Sequence, residues 1–156
     1  MTAPRHVAES DCERIRPGLI GQPANTISSL AFVAAAVPIW RLAQSPRSSG
    51  WKLVAAALAF EGIGSVAYHG PGGRGSKAVH DIGLIALLVA FVAVLRDEPR
   101  TATPTPIAAT LGLSAAALHL LSRTGGPLCS CNSRVQGHAI FHVLAAAATV
   151  AAAKRR

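Results

Sequence analysis

Charge is absent from most of this 156-residue chain. Its 15 basic and 7 acidic side chains leave five long stretches bare: Pro23 to Trp40, Leu53 to Gly73, Ile82 to Leu95, Thr101 to Ser122 and Val135 to Ala153. Only Glu61 interrupts them. A soluble amphipathic helix carries charge on its outer face every turn or two, so this absence argues against an alanine-rich soluble bundle. Hydropathy alone would leave that alternative open, because alanine is nearly neutral towards insertion. Aromatics are scarce as well, at 4%. The formal charge of +8 is therefore not arranged as a basic stripe interleaved with stacking rings, and no nucleic-acid partner is expected. The first 22 residues contain Asp11, Glu13, Arg14 and Arg16 and lack an apolar core, so no cleavable signal peptide is expected.

What is present is a set of apolar runs near the ~20 residues that cross a hydrocarbon core. They predict an all-α, polytopic transmembrane helical bundle of about five spans in a single domain, 1–156. A polar segment, 1–22, precedes spans at about 23–42, 51–69, 78–95, 105–122 and 135–153. Asn25 and Thr26 are capping candidates for the first helix. Gly70-Pro71-Gly72-Gly73 stops the second. The connections are a short loop at 44–50, a proline-rich loop at 96–106 and a cysteine-bearing loop at 124–133.

With five spans, Arg41, Arg47, Lys52, Arg96, Arg100, Lys154, Arg155 and Arg156 fall on the side opposite the N-terminus. Arg5, Arg14, Arg16, Arg74, Lys77, Arg123 and Arg134 share the N-terminal side, so the positive-inside rule slightly favours a cytoplasmic C-terminus. Cys12, Cys129 and Cys131 also lie on the N-terminal side, where a bridge from Cys12 to Cys129 or Cys131 would suit an oxidising compartment. An extracytoplasmic N-terminus is therefore expected.

Two histidines, His138 and His142, stand one turn apart at the start of the last helix, a spacing that lets both imidazoles reach one metal. No glutamate follows the first, so the metalloprotease pair of histidines with an adjacent base is absent. Glu61, Ser65 and His69 line one face of the second helix, and polar groups in such a setting usually face a bundle interior. Asp81 is expected near the start of the third helix, where the macrodipole alone would favour a carboxylate. The topology brings His69, Asp81, His138 and His142 to one membrane face. Three neutral imidazoles leave a fourth zinc position for water, the arrangement of a catalytic site. His80 is expected on a different face from Asp81, and His119 as a hydrogen-bonded histidine within the bundle. Cys129-Ser130-Cys131 has poor spacing for a metal site without a second pair.

Taken together, Ser65-x-x-x-His69, Asp81 and His138-x-x-x-His142 resemble the alkaline ceramidase family, part of a membrane hydrolase superfamily that includes the adiponectin and progestin receptors. Cys12-Glu13, the stretch from Asn25 to Leu30 and the stretch from Gln136 to Leu144 resemble further segments of that family. The resemblance implies zinc on His69, His138 and His142, with Asp81 positioning or deprotonating the water. It also implies Ser65 as hydrogen-bond donor to an oxyanion, and spacing permits Glu61 as an outer partner of the same face. It further implies a disulfide from Cys12 and a calcium ion near Glu13, although Ser10 and Arg14-Ile15 replace expected polar ligands. The stretch between Leu95 and Val135 has room for one span where the family has three, so the fold would be a reduced version of a seven-helix one. The function implied is zinc-dependent hydrolysis of the amide bond of ceramide or a related N-acyl lipid. The alternative is a zinc-containing lipid-binding receptor or scaffold.

Overall fold

A computed structural model describes residues 6–44, 49–97 and 105–154. Arg5, Arg47, Arg100, Arg155 and Arg156, used above in the charge comparison, lie outside the described residues, as do parts of the loops at 44–50 and 96–106. The architecture is all-helical, with no strand among the described residues. A 3-10 turn, Glu9–Asp11, precedes α1 (Pro23–Leu42), α2 (Ser49–His69), α3 (Arg74–Asp97), α4 (Pro106–Leu121) and α5 (Gly137–Ala153). The first three are long and apolar enough to cross a membrane, while α4 and α5 are shorter apolar helices of 16 and 17 residues.

Helix α3 begins earlier than expected because Gly72, at φ +61°, completes the turn and no proline follows Gly73 in the helix to break it. Asp81 consequently sits in the third turn, not at the helix start, and the macrodipole does not account for it. The expected caps on α1 also differ. Asn25 and Thr26 lie inside the helix, and the carboxylate of Glu13 reaches over instead, accepting from Ala24 N–H and Asn25 N–H, both at 2.8 Å. A distant carboxylate thus satisfies amides that a helix start leaves without partners.

The main packings join α3 to α2, α2 to α1, α1 to α5 and α5 to α4. Small residues dominate the shared core, with Ala35, Ala36, Ala55, Ala57, Ala90, Ala146 and Ala153 packed around Phe32, Ile39, Val54 and Leu58. Such residues let backbones approach closely, which is how helices associate where hydrocarbon supplies no hydrophobic drive. Gly64 lies against the backbone of His80, and a Cβ on Gly83 would collide with Glu61. These two glycines bring α2 and α3 close enough for Glu61 to meet α3. The outer face of α3 exposes Ile85, Leu88, Val89 and Leu95, which suits contact with lipid tails.

The N-terminal segment folds back over one end of the bundle. Val7 N–H donates to Gly72 O at 3.1 Å, and Tyr68 Oη–H donates to Val7 O at 3.1 Å. Cys12 and Cys129 form a disulfide, resolving the pairing left open by sequence, and Cys131 is exposed and free.

Candidate metal centre

His69 ends α2, while His138 and His142 occupy the first two turns of α5. All three are buried, at 0%, 5% and 1% exposure. Their ring centroids are 5.2 Å (His69 to His138), 5.3 Å (His69 to His142) and 4.6 Å (His138 to His142) apart. Each offers a nitrogen within 4.8 Å of the others, so modest side-chain shifts suffice for three imidazoles to share an ion. The donor set fits zinc, which takes imidazole nitrogen at about 2.0–2.1 Å.

The surrounding hydrogen bonds fix two of the tautomers. Gln22 donates from its side-chain nitrogen to Ala8 O at 2.8 Å and Glu13 O at 2.9 Å. Its oxygen, oriented by those bonds, accepts from His69 Nδ1–H at 2.7 Å. His69 Nε2 is then the unprotonated nitrogen, and it is buried without a partner. Ser28 donates its hydroxyl proton to Asn25 O at 3.0 Å, so its oxygen accepts from His142 Nδ1–H at 2.8 Å. Both rings are thereby left with an Nε2 lone pair, the state a metal ligand requires. A buried, partnerless imidazole nitrogen is costly in itself, and a cation would relieve it.

His138 and His142 border a cavity of about 570 Å³ lined mainly by α3 and α5, with the N-terminal segment also contributing to its lining; His69 is not on its wall. Its lining changes character along α3, from Lys77, His80 and Asp81 to Leu84, Leu87 and Phe91. Asp81 belongs to this wall and is half-exposed, with Oδ2 at 2.6 Å from Lys77 Nζ and Oδ1 at 3.5 Å from His80 Nδ1. His80 lies on the same wall, contrary to the expectation that it faces elsewhere. Its Nε2 is 3.3 Å from Glu61 Oε1 and its ring stacks on Tyr68. The sequence missed this because the close α2–α3 approach that Gly64 and Gly83 permit is a tertiary feature. Glu61, which spacing permitted as an outer partner of the Ser65 and His69 face, has its Oε1 3.3 Å from His80 Nε2.

Ser65 is fully buried and shares a 2.8 Å hydrogen bond with Ser29. Ser29 donates to Asn25 O at 2.7 Å, so its oxygen accepts from Ser65. His119 lines the cavity with its ring 5.5 Å from that of His138; its Nδ1 is buried and has no hydrogen-bond partner, so the expected hydrogen bond is not found at that atom. Both oxygens of Glu13 serve the α1 amides, and among the described residues it belongs to no cluster of three or more His, Cys, Asp or Glu side chains. The sulfur of Cys131 lies 3.8 Å from that of Cys12 and 3.7 Å from that of Cys129, but with those two joined in a disulfide only Cys131 retains a thiol, so the three cysteines do not form a thiolate metal site in this state.

Asp11 was not singled out by sequence as a site residue. It is buried, it lines the cavity, and its Oδ1 stands 3.9 Å from His138 Nδ1. Burial pushes its carboxyl above the usual range, opposed chiefly by the positive charge of Arg123.

No protein-family model, no curated protein and no solved structure matches the chain.

Proposed function

We propose that this chain is a five-pass membrane amidohydrolase whose zinc centre cleaves ceramide or a related N-acyl lipid into a fatty acid and an amine. The observation carrying this reading is the convergence of His69, His138 and His142 beside a cavity whose wall runs from ionisable to apolar. Such a wall suits a lipid with its polar linkage at the metal and its chain along Leu84, Leu87 and Phe91. The resemblance to alkaline ceramidases supports the same assignment.

Zinc held by the three imidazoles supplies Lewis acidity, making water nucleophilic near neutral pH and polarising a carbonyl. Asp81 takes the proton from the attacking water and returns it to the amide nitrogen as the carbon–nitrogen bond breaks. Lys77 and His80 hold the Asp81 carboxylate at the cavity wall. Ser65 hydrogen-bonds the developing oxyanion once its proton turns away from Ser29. Helices α4 and α5 reach about 24–26 Å at 1.5 Å per residue, slightly short of a hydrocarbon core, and their flanking residues complete the crossing. The N-terminus, the disulfide and the metal centre face the extracytoplasmic side, and the C-terminus is cytoplasmic.

The test is turnover by purified, zinc-loaded protein given fluorescent N-acyl sphingosine and other N-acyl lipids. Fatty acid release is expected, with Asp81→Ala abolishing it while bound zinc is unchanged. If folded, zinc-loaded protein hydrolyses none of these lipids, the chain is a zinc-containing lipid-binding receptor or scaffold. The 2.6 Å ion pair that ties Asp81 to Lys77 favours that second reading, since a base so held is less free to act.

A further inference from the structure

Two of the three imidazoles have their Nδ1 protons held, His69 by Gln22 and His142 by Ser28. The third does not. His138 Nδ1 is buried without a hydrogen-bond partner, and Asp11 Oδ1 lies 3.9 Å away, just beyond bonding distance. Asp11 is itself 4% exposed, so the two groups face each other out of water. A carboxylate beside a metal-bound histidine fixes its tautomer and makes the ring a better donor.

Asp11 does not reach this position by the packing of a long helix. Its turn is held from outside: Asn25 Nδ2–H donates to Asp11 O at 3.3 Å, Cys12 N–H to Thr124 Oγ1 at 3.0 Å, and Thr124 N–H to Ser10 O at 2.9 Å. The next residue, Cys12, has φ +60°, a left-handed conformation unusual outside glycine, and it carries the disulfide to Cys129. A strained backbone persists where its surroundings over-determine it, and here the disulfide is the covalent part of those surroundings.

We propose that Asp11 is the outer partner of His138, closing onto its Nδ1–H when the metal binds, and that the Cys12–Cys129 disulfide holds Asp11 there. This rests on the zinc reading above. Asp11 acts through His138 and is a positioning residue. The redox state of the disulfide, whose Cys12 is buried and Cys129 partly exposed, then sets zinc affinity.

The experiment measures the zinc dissociation constant of the detergent-solubilised full chain by chelator competition, with the electronic spectrum of the cobalt-substituted protein as a second readout. Asp11→Asn should bind zinc about 10–100-fold more weakly and alter the cobalt spectrum, at an unchanged metal-free melting temperature. Asp11→Glu should recover part of the loss. Reduction of the wild-type disulfide by a phosphine, verified by thiol counting, should weaken binding to a similar degree, and this arm needs no variant to fold. The Cys131→Ser protein should match wild type when oxidised. Equal affinity for Asp11→Asn and wild type overturns the role of Asp11, and equal affinity before and after reduction overturns the tether. A different result, wild type holding no zinc or holding it despite His138→Ala with His142→Ala, overturns the metal centre itself.

Discussion

Gln22 accepts the Nδ1 proton of His69 at 2.7 Å while both of its own donor contacts go to backbone carbonyls of the N-terminal segment. One amide therefore couples the fold-back of residues 8–13 to the orientation of a candidate metal ligand. A leucine at position 22 keeps the volume but releases both. Gln22→Leu should weaken zinc binding by about 10–100-fold, as loss of an outer partner typically does. Chelator competition on the purified variant measures this directly, and unchanged affinity would mean that the Gln22 contact does not orient His69.

Glu13 serves the first turn of α1 in the way an N-cap side chain would. Replacing a cap costs about 0.5–2 kcal/mol, and charge-assisted bonds lie towards the upper part of that range. Glu13→Ala should lower stability by about 1–2 kcal/mol in denaturant titration. A loss below about 0.3 kcal/mol would show the carboxylate to be dispensable to the helix.

The disulfide closes a loop between residues 117 apart, so its removal should cost about 2–4 kcal/mol. Cys131 complicates the obvious variant. With its sulfur 3.8 Å from that of Cys12, it can take the place of Cys129. Oxidised Cys129→Ser should therefore keep most of its stability and show a Cys12–Cys131 linkage by peptide mapping. Cys129→Ser combined with Cys131→Ser should show the full loss. Equal destabilisation of the single and double variants would rule out the substitution.

Two glycines with opposite surroundings test the α2–α3 contact. A Cβ at Gly83 meets Glu61, including its backbone, whereas one at Gly112 of α4 meets nothing within 4 Å. Gly83→Ala should destabilise by about 1–3 kcal/mol through overpacking. Gly112→Ala should be neutral or stabilising by up to about 1 kcal/mol, since alanine has less chain entropy to lose. Unfolding curves in one detergent compare them, and equal effects would contradict the close α2–α3 approach.

Much of this was legible in the chain. The bare stretches located five helices because a charge in an apolar segment is costly, and α1 spans 23–42 as the pattern indicated. The His138 and His142 pair was visible because helical periodicity is local. The start of α3 was misplaced because Arg74, Gly75, Ser76 and Lys77 look like a polar loop, yet no proline among them breaks a helix.

The sequence by itself determined which segments are helical and which residue types can bind metal, since hydropathy and periodicity are properties of neighbours along the chain. Only the tertiary structure decided who meets whom. It joined Gln22 to His69, Ser28 to His142, Asp11 to His138 and Glu61 to His80, pairings between segments far apart in sequence. It also chose Cys129 over Cys131. Those pairings depend on how closely small residues let helices approach and on where a folded-back segment is pinned, and neither distance is written in any one stretch of the chain.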